Sequence, residues 1–193
     1  PTSRTIPEGF GRAIPGVVPK LHPPLMLHES ASGSTQAERD PNVVGELLKQ
    51  YPMGGGDVLV VASNSGRNAC PIELAMLAKE RSVRTIAVLN SEHSVKWASR
   101  HPSGKRLGDV VDLVIDNCGV EGDACIPLPG SGLFVGATST VTGCLIMQMI
   151  ACRATEMLNA SGRQPELYQS SNANHDERNA ALIAEHKQTN PHL

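Results

Sequence analysis

A chain of 193 residues with 40% apolar and 19% charged side chains can build one domain around a proper core, and a formal net charge of −2 removes any electrostatic reason to expect nucleic acid or a membrane surface as partner. The five cysteines are odd in number and lack C-x-x-C spacing, so they read as buried thiols of a reducing compartment. No charged-then-apolar leader opens the sequence, and the most apolar run, 145–151, is far too short for a bilayer; a soluble, cytoplasmic protein with a small-molecule ligand is expected.

Residues 1–24 carry Pro7, Pro15, Pro19 and Pro23 among scattered glycines and read as an irregular lead-in. A short apolar patch at 25–29 and a polar stretch at 30–40 follow. A helix is expected over 41–51, with Asp40 as N-cap, Pro41 in the first helical position, and Val43, Val44, Leu47, Leu48 and Tyr51 on one face. Val58–Ala62 is a continuous apolar run rich in β-branched residues, the pattern of a strand buried on both faces of a parallel sheet. It runs into a loop of hydroxyls, amides and a glycine, 63–68, and a helix is expected over 70–79. Strand, polar loop and helix N-terminus together make an anion site, because the orphan N–H groups and the positive end of the helix dipole face the loop. Phosphate is the natural occupant.

A second buried strand is expected over 83–89, then a polar loop at 90–94 and a short helix through Val95, Trp97 and Ala98. Residues 99–108 form a basic loop and 110–116 a third apolar strand. The prolines and glycines of 122–136 suggest an irregular hairpin. Thr138, Ser139 and Thr140 then cap the longest helix, 141–159, which Gly162 stops, and a last helix is expected over 176–187. Strands alternating with helices argue for an α/β layer fold with a mostly parallel sheet, whose ligands bind beyond the C-terminal strand ends. Three polar loops, 63–68, 90–94 and 138–140, satisfy that rule or open a helix.

The hexapeptide Ser63-Asn64-Ser65-Gly66-Arg67-Asn68 resembles the Ser-x-Ser-Gly-x-Thr/Asn phosphate loop of the SIS (sugar isomerase) domain family. The likeness continues through 25–29, 56–59, 99–107, 112–117 and Ser139-Thr140, which look like a bacterial branch described as phosphosugar or phosphoheptose isomerases. The resemblance implies a three-layer αβα sandwich with a flavodoxin-like sheet, a homodimer or higher homo-oligomer, and a phosphorylated sugar as ligand. It implies aldose–ketose isomerisation without a cofactor, the alternative being a non-catalytic phosphosugar sensor. A truncated, inactive homologue is the third reading.

On the same resemblance Ser63 and Ser65 donate hydroxyls to the phosphate, Asn64 and Asn68 donate amides, and Gly66 lets the backbone approach the anion. Arg67 departs from the acidic residue common there in the wider family. Ser91 and Ser94, with Asn90, belong to the second loop, where a plain helix cap reads equally well, and Ser139 and Thr140 flank the site from the long helix. Lys105 and Arg106 read as a solvated basic loop. Enediol chemistry needs a base and a proton shuttle, and the nearest counterparts of the family's glutamate and histidine are Glu29 and His175, with His93 and His101 as further candidates. The histidines lack a metal-ligand spacing, so no metal is expected. The chain reads as one SIS domain, 1–193, apparently lacking the family's first helix and serine-loop strand, since nothing before Leu25 has that form; truncation is the expected reason.

Overall fold

In the computed structural model, which describes residues 16–20, 22, 25 and 30–193, the three apolar runs become neighbouring parallel strands, β1 (Val58–Ala62), β2 (Arg84–Leu89) and β3 (Leu113–Asp116), in the order β1-β2-β3. They belong to a first compact unit that runs through Gly143; a second unit holds 16–20 and Cys144–Leu193. The readings made on 1–24 and 25–29 fall almost entirely outside the described residues.

The first unit opens with α1 (Ala31–Arg39), where only a polar stretch is expected. Its small residues show no apolar period, and the helix is set instead by Ser30, whose Oγ accepts the Gly33 N–H at 3.1 Å. Helix α2 (Val43–Gln50) starts two residues later than expected. Asp40 spends its carboxylate on a turn, accepting the Asn42 N–H at 2.9 Å, so Asn42 is the N-cap.

Parallel pairing needs crossovers, and α3 (Ala69–Glu80) supplies the one between β1 and β2. Its apolar positions fill the core: Ile72, Ala75 and Ala78 are fully buried, together with Ala87 of β2 and Leu107 of the short helix α5 (Leu107–Val110). The two large ones, Ile72 and Leu107, each contribute about 2 kcal/mol of hydrophobic stabilisation. Helix α4 (Ser91–Lys96) caps the end of β2.

Strands β1 and β3 are less buried than their sequences suggest. In β1 only Leu59 and Val61 are buried while Val58 is 59% exposed, and in β3 Leu113 and Val114 are both exposed. Asp112 fixes the N-terminal ends of β2 and β3 by accepting the Thr85 N–H at 2.8 Å and the Thr85 hydroxyl at 3.0 Å, with Lys79 Nζ 3.1 Å away. The Thr85 N–H first, then Lys79 and the Thr85 hydroxyl, hold its carboxyl at about 2.

The expected hairpin is present as β4 (Ala124–Pro127) and β5 (Phe134–Ala137), antiparallel and closed by a turn in which Gly130 and Gly132 take positive φ. The thiols are a correction. Burial, then Glu38 and Asp40, push Cys70 up to about 12, but Cys118, Cys125 and Cys152 are exposed, because two lie in or beside the hairpin and the third on the outer side of a helix.

That helix, α6 (Thr138–Ala160), begins in the first unit and continues into the second. At 23 residues it is, among the described residues, the one helix long and apolar enough to cross a membrane by length and composition. The helical frame extends well beyond the 145–151 run and includes Gln148, Arg153 and Glu156. Gly162, at φ 77°, ends it as expected. In the second unit Asn179 both donates to the Gln169 carbonyl at 2.8 Å and accepts its N–H at 3.0 Å, and His186 lies 2.7 Å from Glu166. These bonds tie the polar stretch to α7 (Asp176–His186).

Candidate functional site

The strand register places the polar residues that follow the three strands at one level. Ala62 pairs with Val88 and Leu89 with Asp116, so the residues just past the strands, Ser63 and Asn64, Asn90, and Asn117, stand side by side at the C-terminal edge. The ladder continues into them: Ser63 N–H donates to Val88 O at 3.0 Å, Asn90 N–H to Asn64 O at 2.9 Å, and Asn117 N–H to Leu89 O at 2.8 Å.

The loop 63–68 turns back through Gly66 at φ 56°. Only glycine fits there: a Cβ would lie 3.1 Å from Ser94 Oγ and 3.3 Å from both Leu107 and Leu89. The loop delivers the chain to α3, whose N-cap, Asn68, makes no side-chain bond to its own helix. Its Oδ1 instead accepts from Arg100 Nη1 at 2.8 Å, which leaves the Ala69 and Cys70 amides of α3 without a side-chain cap from Asn68, Pro71 having no N–H. Among the described residues the hydroxyls of Ser63 and Ser65 have no protein partner. Uncapped helix amides, two uncommitted hydroxyls and the amide donors of Asn64 and Asn68 are groups of the kind that bind a small anion.

A strap formed by 98–107 lies against the outer side of the loop. Arg67 Nε donates to Ala98 O at 2.9 Å, Arg100 N–H to Arg67 O at 2.8 Å, and Leu107 N–H to Gly66 O at 2.8 Å. His101, its side chain 6% exposed, anchors the strap: Nε2 lies 2.8 Å from Glu73 on α3, and Nδ1 is 2.7 Å from Ser103 Oγ. Arg106 donates from Nη2 to Val95 O and Trp97 O at 3.3 and 3.2 Å. Of the two residues read as a solvated basic loop, Lys105 is exposed as expected and Arg106 is fastened against the chain.

A sequence profile described as the SIS domain matches residues 6–90. A UPF0309 protein of Listeria innocua is 39% identical over 96% of this chain and 76% of its own length. A Listeria monocytogenes relative is 38% identical with the same coverage, and one from Geobacillus kaustophilus is 38% identical over 95% of this chain and 73% of its own. The chain belongs to the UPF0309 family of SIS-domain proteins. The SIS domain implies phosphosugar binding or an isomerase-like role, and the parallel α/β sheet is the fold expected of it.

The other residues assigned from the SIS resemblance are placed differently. Ser94 packs on Gly66 and is buried, while Ser91 is turned to Asp116, which accepts its N–H at 3.4 Å. Burial alone would raise the Asp116 carboxyl, yet bonds from Cys118 and Ser91 hold it below the ordinary carboxylate range. Ser139 and Thr140 lie within the first turn of α6, not ahead of it. The cap comes from Asp123, which takes the Ser139 N–H and hydroxyl, each at 2.7 Å, and the Thr138 hydroxyl at 3.1 Å. Burial pushes the Asp123 carboxyl up, but these donors, Ser139 first, outweigh it and keep the group below its usual value. Among the described residues the Thr140 side chain makes no hydrogen bond. His175 precedes α7 as its N-cap residue in the second unit, and Glu29 falls outside the described residues. His93 gives its backbone N–H to Asn90 Oδ1 at 2.7 Å, and its Nδ1 is buried without a partner.

Sequence reasoning missed Glu73, Arg100, Asp123 and the role of Asn117. For Asn117 a signal exists: it follows β3 as Asn90 follows β2. Among the described residues no three His, Cys, Asp or Glu side chains converge where a metal ion would sit.

Proposed function

We propose that the protein binds a phosphorylated sugar, with the phosphate on the loop Ser63, Asn64, Ser65, Gly66 and Asn68 at the N-terminus of α3, and that it interconverts the aldose and ketose forms of that sugar. The observation that carries the anchor is the state of the helix ends. Asp123 caps α6 and the Asn90 side chain caps α4, whereas α3, like α2 and α7, has no side-chain cap, and at α3 the open end stands beside two uncommitted hydroxyls. An anion placed there gains both the helix amides and the dipole. Ser94 and Leu107 support the loop from behind through Gly66.

In the isomerase reading, Glu29 takes the proton from the carbon beside the carbonyl, the enediol forms, and the proton returns to the neighbouring carbon while His175 moves the hydroxyl proton. The step is redox-neutral within the substrate and uses no cofactor. A second reading, a non-catalytic phosphosugar sensor, is favoured by one observation: His101, the histidine fastened beside the loop, has both ring nitrogens engaged by Glu73 and Ser103. In either reading we take the protein as a cytoplasmic homodimer acting on neither nucleic acid nor membrane. The exposed apolar side chains of Ile126, Leu133 and Phe134 on the hairpin, and the stripe Val141, Leu145 and Met149 on α6, support self-association.

A thermal-shift screen against pentose, hexose, hexosamine and heptose phosphates tests the anchor, because a ligand that binds only the folded state raises its apparent stability. Ser65→Ala is expected to weaken the hit about fivefold by calorimetry, the loss of one typical hydrogen bond of about 1 kcal/mol. Unchanged affinity in the folded variant removes the loop from the site. NMR of the bound sugar then separates turnover from binding.

A further inference from the structure

Resting on the phosphosugar reading, we propose that Asn117 is a positioning residue that locks the Asn64 amide with its N–H donors, not its carbonyl oxygen, toward the bound phosphate. Asn117 is 5% exposed and its Nδ2 donates to Asn64 Oδ1 at 2.8 Å. Its own Oδ1 accepts from Gly119 N–H at 2.9 Å and faces Asn90 Nδ2 at 3.5 Å. Asn90, 2% exposed, donates from Nδ2 to the Gly119 carbonyl at 2.7 Å and accepts the His93 N–H at 2.7 Å.

The chain of amides has one self-consistent orientation. The His93 N–H takes Asn90 Oδ1, so Asn90 can present only Nδ2 to Asn117. Gly119 N–H likewise fixes Asn117 Oδ1, so Asn117 can present only Nδ2 to Asn64. One lone pair of Asn64 Oδ1 is thereby taken and the amide is held in that orientation, which leaves its Nδ2 as the donor for a ligand.

Without that lock an asparagine offers donor or acceptor at similar cost, and the acceptor repels a phosphate oxygen. Gly119 is built for the relay: a Cβ there would stand 2.8 Å from Thr138 Oγ1 and 3.0 Å from Asn117 Oδ1, so glycine is needed for the amides to close around it. Ser63 and Ser65, as hydroxyls, rotate to suit a ligand and need no such orienting chain.

Asn117→Asp isolates the role, because it keeps an acceptor for Gly119 N–H and Asn90 while deleting the donor toward Asn64. Inorganic phosphate and fructose 6-phosphate are titrated calorimetrically into wild type, Asn64→Ala, Asn117→Asp and the double variant. Each single substitution is expected to weaken binding about fivefold. The double variant should be no more than about twofold weaker than Asn64→Ala, the signature of a residue acting through another. The side-chain amide resonances of Asn64 should shift on phosphate addition in wild type and stay put in Asn117→Asp. Multiplicative loss in the double variant overturns the proposal, since the introduced charge would then be acting on the anion directly. Wild-type affinity in Asn117→Asp overturns it equally. Failure of the wild type to bind either probe is a different result, which removes the phosphosugar reading itself and the positioning role with it. Should Asn117→Asp not fold, Asn117→Ser goes through the same cycle and is read the same way.

Discussion

Helix α3 follows a run of small polar residues and α6 opens on one, and both were expected to lie beside the ligand, yet they begin in opposite ways. At α6 the protein brings its own carboxylate, Asp123, from the start of a hairpin and closes the helix end with three short bonds to Ser139 and Thr138. At α3 the residue in the capping position turns away to Arg100, and the end stays open. Two hydroxyl-rich stretches thus have two outcomes. One helix start is fastened by a carboxylate, and the other is left without a side-chain cap, as the proposed phosphate anchor requires. The distinction lies not in the capping residues but in whether a distant carboxylate reaches them.

The contrast can be broken most severely at Asp123. Asp123→Ala removes the α6 cap and places alanine at φ 74°, so it is expected to cost about 2 kcal/mol or more in urea unfolding. Phosphate binding in the folded fraction should remain within about twofold of wild type on the scale of one retained hydrogen bond. Loss of binding with the fold intact would show that Asp123 belongs to the ligand site after all. Ser139→Ala sharpens the same point with a smaller effect. It should lose about 1 kcal/mol of stability and leave affinity unchanged, the reverse of Ser65→Ala, which should lower affinity and leave stability nearly untouched. Equal effects of the two serines on binding would erase the distinction between the helix ends.

Acid gives the mildest test. Asp112 and Asp123 both have folded-state values below their ordinary ones, about 2 for Asp112. A carboxyl depressed on folding stabilises the protein above its unfolded value and loses that contribution as pH falls toward the folded one. Thermal midpoints should therefore be flat through the neutral range, then decline from about pH 4 toward pH 2. Asp112→Asn should start lower and show a shallower acid decline. An unaltered slope would mean that the Thr85 and Lys79 contacts do not favour the ionised form.

Much of this was legible in the chain. Val58–Ala62 and its loop announce themselves because a β-branched run, a glycine and a helical period follow one another without interruption. The hairpin shows through its prolines and glycines, and the ends of α3 and α7 fall within a residue or two of expectation. Helix α1 was illegible because its sequence of serines, glycine and alanines has no apolar face to betray it; a serine cap and packing supply what periodicity lacks. The exposure of β3 could not be read either, since an apolar edge strand and an apolar central strand have the same composition. The capping of α6 depends on a contact between residues 123 and 139, and the orientation of Asn64 on residues 90, 117 and 119. Separations of that kind are set by sheet register, which no local pattern states.

The Thr85–Asp112–Lys79 clasp sits at the opposite end of the strands from Asn64, Asn90 and Asn117. With about 3.3 Å of rise per residue, the five steps from Asp112 to Asn117 keep the two roughly 16 Å apart. The sheet is thus a lever with its fulcrum and its working end on separate residues, and a designer seeking a hardier protein has a place to begin. Reinforcing the clasp end, for example by extending its charge network, leaves the amides at the far end free to be retuned for another sugar.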